Sequence, residues 1–341
     1  MTTPALAPHP EPKSPDPVPA LESLATELRR RLSGESTIAC REPLATRTTL
    51  RVGGPADLYV EPAGEADLAA TVEFCSTFGL PRLLLGRGSN LLIRDGGVRG
   101  VVIRLNHPAF ADLTVEGTRL SAGAGTRLRD LANEARRQGL SGLEFLEGIP
   151  GSVGGALRMN AGAMQSWTFS VIDQVRLMDP TGRVHQRPLA AIPCQYRSCP
   201  LFKDHIALGA VFVGRPDAIE SIRERMESYS RRRWKSQPPQ PSAGCLFKNP
   251  DSIPAGRLID ELGLKGTRVG GAMVSEVHGN FIVNTGGASA RDVLELMEQV
   301  RSRVRESRGL ELETEVEVVG ADLEDCEESS GTPGGRRVTA T

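Results

Sequence analysis

Among the reactive residues of this chain one cysteine stands apart. Cys245 lies in PSAGCLFKNP (241–250), between a glycine and an apolar pair, with Lys248 three positions on. A thiol in that setting can pack, ligate a metal, close a disulfide or carry a proton. The other five cysteines, at 40, 75, 194, 199 and 326, are scattered. Only Cys194 and Cys199 are close, and their C-x4-C spacing has no second Cys/His pair to complete a four-ligand zinc site. A chain of 341 residues can bury its own cores without a disulfide framework. It shows no secretory signal, so free thiols in a reducing cytoplasm are expected. The metal and disulfide readings fall; a packed thiol and a proton carrier both stay open.

A second chemistry is written in glycine. LGRGSNLLI (85–93), SAGAGT (121–126) and GIPGSVGGALRMNAGA (148–163) each follow an apolar run. Clustered glycines let backbone N–H groups approach a phosphate, although any one such loop also serves as a plain tight turn. Ser89, Asn90, Ser152 and Asn160 are embedded as hydrogen-bond partners. Three loops of this kind in one half of the chain point to a diphosphate-containing cofactor. GRGSNL lacks the third small residue of the dinucleotide fingerprint, and no G-x-x-x-x-G-K-[ST] occurs, so neither a Rossmann nor a Walker site is expected.

These residues must be positioned by a multidomain scaffold. A net charge of -1 provides no field for nucleic acid or an anionic membrane, and no apolar run reaches the roughly 20 residues that span a bilayer. Residues 1–20, crowded with proline, and the acidic, then Gly/Pro/Thr-rich 321–341 are expected to be disordered. LESLATELRRRL (21–32) has helical spacing. DLYVEP, EADLAATVEFCSTFG and PRLLLG read as a small βαβ-like unit, and residues 97–214 as a largely antiparallel sheet with a helix at RLRDLANEARRQG. A helical, charged stretch from RPDAIESIRERMESYSRRRWK is stopped by QPPQP. Helices in AGRLIDELG and ASARDVLELMEQVRSRVRESRG, with strands NFIVNT and ETEVEVVG, complete a further α/β unit. Alternation in the last of these sets Glu313, Glu315 and Glu317 on one face.

LATRTTLRVGGPADLYVEP (44–62), LGRGSNLLI, GLEFLEGIPGSVGGALRMNAGA (142–163), YRSCPL (196–201), PSAGCLFKNP and ETEVEVVG (313–320) occur in this order. Together, over residues 40 to 320, they closely resemble the UDP-N-acetylenolpyruvoylglucosamine reductases, flavoenzymes of peptidoglycan precursor synthesis, in their shorter-loop type. The resemblance implies an α+β fold: a two-part FAD-binding domain of the vanillyl-alcohol-oxidase-like (PCMH-type) class over 21–214, then a smaller α/β substrate-binding domain over 215–320. FAD would be the cofactor, NADPH the co-substrate and a UDP-sugar the substrate, in a cytoplasmic monomer. Carried over position by position, FAD contacts fall on Gly53, on Gly86, Arg87, Gly88, Ser89, Asn90 and Leu91, and on Gly123 and Gly125. The long central motif adds Ile149, Pro150, Gly151, Ser152, Gly154, Gly155, Asn160 and Gly162.

The family reaction passes a hydride from NADPH to FAD and then to the vinyl carbon of an enolpyruvyl ether. Hydride addition builds an enolate on the neighbouring carboxylate, which needs a stabilising cation or donor, after which carbon must be protonated. The resemblance assigns enolate stabilisation to Arg197 with Glu315 and protonation to Cys245. Tyr196, Lys248, Asn249 and His278 match substrate-side positions, and the RRRWK run at 231–235 is a further candidate for the UDP diphosphate. A flavin oxidase on the same fold and a silent nucleotide-binding relative are the competing readings. No histidine lies in the glycine loops to tether a flavin, and a sensor would need none of Arg197, Cys245 and Glu315.

Overall fold

The computed structural model describes residues 20–323. The expected disordered tails fall almost wholly on 1–19 and 324–341, outside the described residues. Helix α1 (Leu21–Arg31) buries Leu24, Ala25 and Leu28, spaced for one face. It packs on a four-stranded sheet in the order Thr37–Pro43, Pro55–Glu61, Val98–Ile103, Arg82–Leu84. Helix α2 (Glu65–Thr77) adds Leu68, Val72 and Phe74 to the same core. The expected βαβ unit is present with one difference: Val98–Ile103 inserts between its two strands and runs parallel to both. Residues 100–103 of that strand are buried throughout, as a central parallel strand requires.

The second lobe is a five-stranded antiparallel sheet ordered Val184–Pro188, Ile172–Met178, Ile206–Val213, Arg119–Gly123, Leu113–Glu116. Helix α3 (Leu128–Arg137) lays Leu128, Leu131, Ala132 and Ala135 into its core, and the short α4 (Val153–Met159) adds Ala156 and Leu157. Helix α5 (Ile219–Ser236) sends Ile222 and Met226 into the same core.

The C-terminal lobe gathers Leu258 and Ile259 of α6 (Ala255–Glu261), the strand Ala272–Val274 and the inner face of α7 (Ala290–Arg308). Helix α7 opens with a reciprocal cap between Ser289 and Asp292 and closes on Gly309 at φ 65°. A strand expected over 313–320 is regular only at Glu317–Val319, where it pairs in parallel with Leu91–Ile93 of the first part of the chain. Residues 314 and 315 turn instead to the 245–248 loop, through a Phe247–Thr314 bridge and a bond from Glu315 N to Leu246 O (2.7 Å). No described helix is long and apolar enough to cross a membrane.

Candidate active site

A cleft of about 1060 Å³ lies where the three lobes meet. The loop after strand Arg82–Leu84 forms one wall. Leu85 N still donates to Ile103 O (2.8 Å), but the N–H groups of residues 86–90 have no acceptor among the described residues. Most of these residues are at least partly exposed in the cleft wall, so their N–H groups are available to an anion seated there. Gly88 holds the turn at φ 62°; a Cβ there would sit 2.7 Å from Thr48 Cα. Gly86 in this loop, and Gly151 and Gly155 in the segment it faces, present bare backbone, since a Cβ on any of them would meet nothing nearer than 3.4 Å.

The sequence-predicted cofactor residues separate into two groups. Residues 86–91, Gly125, residues 149–152, Gly154, Gly155 and Gly162 line the cleft. Gly53, Gly123 and Asn160 do not. Gly53 is at φ 120° with Ile93 Cβ in the place of a side chain, and Phe110 O closes in on Gly123 in the same way. Buried Asn160, left-handed at φ 41°, donates from Nδ2 to Gln195 O (3.1 Å) and accepts from Phe169 N (3.2 Å). It steers the turn that carries Arg197.

Arg197, Cys245 and Glu315 all line the cleft. Gln195 and Ser198 bond each other across a two-residue turn, which leaves Arg197 at φ 55°, a region costly for a non-glycine residue. Its Nε lies 2.8 Å from Glu315 Oε1, and Nη1 donates to Gly162 O (3.2 Å). The Nε–H is not aimed along the line to the carboxylate, so the contact is an ion pair more than an aligned hydrogen bond. The Glu315 side chain is 11% exposed. Burial raises its pKa above the usual carboxylate value, with Arg197 and then Lys248 pulling the other way. Burial and then the Glu315 carboxylate push the Cys245 thiol up to about 12, against the opposing pull of Arg197. The three groups therefore act on one another.

The substrate-side candidates fall elsewhere. Exposed Tyr196 stacks on the Arg197 guanidinium (5.3 Å to the ring centre). Lys248 Nζ pairs with Glu313 (2.8 Å), Asn249 Oδ1 accepts from Ala255 N at the start of α6 (3.0 Å), and His278 Nδ1 accepts from Asn280 N (3.1 Å). None of these four is in the cleft wall. Of the basic run, Arg233 and Trp234 line it, and burial lowers the Arg233 pKa.

Two features escaped sequence reasoning. Arg158 grips Glu317 with two nitrogens (2.5 and 3.4 Å) and donates to Phe202 O (2.7 Å), tying α4 to the final strand across the cleft. Asn280, 2% exposed, spends its side chain on Phe247, accepting from N (3.0 Å) and donating to O (2.7 Å), and so fixes the segment after Cys245. The signals available were an arginine inside an otherwise apolar helix and an asparagine between a glycine and an apolar run; neither names its partner.

Residues 56–186 match the FAD binding domain family, and residues 237–319 match the family described as UDP-N-acetylenolpyruvoylglucosamine reductase, C-terminal domain. The reductase of Moorella thermoacetica is 42% identical over 304 residues, covering 89% of this chain and 99% of that protein. The chain belongs to the UDP-N-acetylenolpyruvoylglucosamine reductase family. A second relative, from Heliobacterium modesticaldum, is 45% identical over 82% of this chain and 90% of its own length. The crystal structure of the Thermus caldophilus reductase superposes with a TM-score of 0.73 at 42% identity, covering 83% of this chain and 98% of that one. As a member of this reductase family the chain is an FAD-dependent oxidoreductase, with its FAD-binding region over residues 56–186.

Proposed function

We propose that the chain reduces the enolpyruvyl ether of a UDP-N-acetylglucosamine-enolpyruvate to UDP-N-acetylmuramate in peptidoglycan precursor synthesis, with NADPH as the electron source. The observation that carries this reading is the convergence of Arg197, Glu315 and Cys245 on a cleft that also holds the unpartnered N–H run of residues 86–90. The fit to FAD rests on that run and on the bare backbone at Gly86, Gly151 and Gly155: a diphosphate matches the first, and a cofactor needing close approach matches the second. Bound FAD supplies the two-electron carrier between NADPH and the vinyl carbon.

The chain's residues handle the charge and the proton. Arg197, always cationic, faces the substrate carboxylate as it takes up enolate charge. Glu315, its pKa raised by burial, can hold a proton for the same oxygen. Cys245, its pKa raised by burial, is kept as a thiol near neutral pH and would deliver its proton to carbon. Exposed Tyr196, stacked on Arg197, and Arg233 in the wall are assigned to the nucleotide end of the substrate. Lys248, Asn249 and His278 act one step back, through Glu313, α6 and Asn280. Residues 21–214 form the flavin-binding part and 215–320 the substrate-binding part of a cytoplasmic monomer, α5 staying packed on the former.

Purified protein should be yellow or take up FAD. Under anaerobic conditions NADPH should bleach it, and the enolpyruvyl UDP-sugar should restore the colour with UDP-N-acetylmuramate as product. Restoration by oxygen alone, with no response to the sugar, would transfer the assignment to a flavin oxidase.

A further inference from the structure

Cys194 and Cys199 stand on opposite arms of the turn that carries Arg197. Gln195 and Ser198 exchange both of their backbone bonds, Gln195 N to Ser198 O (2.8 Å) and Ser198 N to Gln195 O (3.3 Å). In an antiparallel ladder the next pair outward is the close, non-hydrogen-bonded kind, with Cα atoms about 4.5 Å apart and both side chains on one face. Here that pair is Cys194 and Cys199. A disulfide spans Cα separations of about 4.4–6.8 Å, so the spacing suits one.

Two further contacts agree with that placement. The Cys199 N–H turns away from the opposite arm and donates to Arg158 O in α4 (3.0 Å), as a member of such a pair must. Its Sγ reaches the other way, across the base of the turn to Pro193 O (3.5 Å), the carbonyl bonded to the nitrogen of Cys194. The two thiols differ in access: Cys194 is exposed and Cys199 buried. Burial, with the neighbouring Cys194 adding to it, pushes the Cys199 thiol up to about 11. An oxidant in solution therefore meets Cys194 first.

We propose that Cys194 and Cys199 form a reversible redox site, whose disulfide closes the base of the Arg197 turn and switches off the sugar-dependent half-reaction. The oxidant is a peroxide. The Cys194 thiolate attacks one peroxide oxygen, the O–O bond breaks and hydroxide leaves, giving a sulfenic acid. The Cys199 thiol then attacks that sulfur: the S–S bond forms, the S–O bond breaks and water departs with the Cys199 proton. Two thiols are oxidised, and hydrogen peroxide is reduced to water. A reducing compartment rules out a standing bridge but not a transient one, reopened by small thiols.

What each arm holds decides the consequence. Cys199 is anchored by its burial and by Arg158, whereas residues 193–195 of the other arm are exposed. Closing the bridge draws the exposed arm inward, and with it Gln195, whose carbonyl accepts both Asn160 Nδ2 (3.1 Å) and Ser198 N. Arg197, already held at φ 55°, is thereby displaced from Glu315 and Gly162. This loss of activity rests on the reading of Arg197 as the cation facing the substrate; the bridge itself does not.

For the test, the full chain is reduced, freed of reductant, treated with hydrogen peroxide, blocked at its remaining thiols and digested with trypsin. Trypsin cuts after Arg197, between the two cysteines, so the bridge appears as peptides 184–197 and 198–203 held together until dithiothreitol is added. Sugar-dependent reoxidation of the bridged protein should slow at least about tenfold, with reduction by NADPH changed less than about twofold, and dithiothreitol should restore the rate. Cys194→Ala, at an exposed position outside the cleft wall, should keep wild-type rates and lose the thiol-reversible slowing. Absence of the linked peptides, with Cys194 carried on to sulfinic acid instead, overturns the site. A bridge that leaves the sugar-dependent rate unchanged, or slowing of the same size in Cys194→Ala, overturns the switch. Reduced wild type that never responds to the sugar defeats the reading of Arg197 alone, since the linked peptides are scored without it.

Discussion

A change of pH tests Cys245 without altering it. Its thiol stands at about 12 where an ordinary one stands at 9.0, because burial and the Glu315 carboxylate both disfavour the thiolate. Only the protonated thiol donates. At pH 10 a thiol of pKa 9.0 would be loaded in about one molecule in eleven, whereas one near 12 is still about 99% loaded. The assay is anaerobic stopped flow: enzyme reduced with one equivalent of NADPH is mixed with the enolpyruvyl UDP-sugar, and the return of flavin absorbance is followed from pH 7 to pH 10. The rate constant should fall by less than about twofold over that range if loading of the thiol governs it. Cys245→Ala should slow the same step by about 10²–10⁴, equivalent to about 3–5 kcal/mol, and leave reduction by NADPH within about threefold. Cys245→Ser should retain most of the activity. A wild-type profile that drops about tenfold along a pKa near 9 refutes the buried-donor argument, and an alanine variant reoxidised at the wild-type rate makes Cys245 a packed thiol.

Asn280→Leu strands the N–H and carbonyl of Phe247 in the core and should cost about 2–4 kcal/mol in urea unfolding, with the sugar-dependent step slowed more than the NADPH-dependent one. Arg158→Met leaves half-buried Glu317 without its cation; a loss of about 1–3 kcal/mol is expected, and restoration by a second change, Glu317→Leu, would show that the pair acts as a unit. Alkaline pH should destabilise the fold. Cys75 and Cys245 have folded pKa values raised to about 11 and about 12, so the native state keeps protons that the unfolded chain releases above pH 9.0. Their contribution is full below pH 9 and is lost as pH rises through 11 to 12. Urea midpoints at pH 8 and pH 10 should show the decline, and Cys245→Ser should make it shallower. Arg197→Lys keeps the charge but loses the two-sided reach to Glu315 and Gly162, and should slow only the sugar-dependent step, by about 10²–10³.

The parts of the site written in contiguous residues were readable in the sequence. GRGSN and GSVGG supply backbone, and backbone geometry follows from glycine placement wherever the chain goes. Arg197, Cys245 and Glu315 were readable only through their motifs, since nothing local distinguishes Glu315 from Glu313 or Glu317. Alternation put the three glutamates on one face, but their fates are set by cations supplied from distant segments: Lys248 for Glu313, Arg197 for Glu315, Arg158 for Glu317. The same limit hid the insertion of strand Val98–Ile103 between its neighbours, because periodicity reports burial and not the identity of the partner. Gly53 and Gly123 looked like ligand glycines for a related reason: a close approach by Ile93 or Phe110 demands the same residue as a close approach by a phosphate.

Asn90 joins the start of the cleft to residues synthesised more than two hundred positions later: its side chain holds the Glu315 carbonyl, and its own carbonyl receives Glu317 N (3.0 Å). Among the described residues, segment Leu91–Ile93 has its strand partner only in Glu317–Val319. On the ribosome, therefore, the glycine loops emerge long before the segment that closes the cleft over them. Such a long-range closure also slows folding. A nick anywhere between the two ends of this clasp leaves a protein whose loops are intact and whose chemistry depends on the severed piece staying docked.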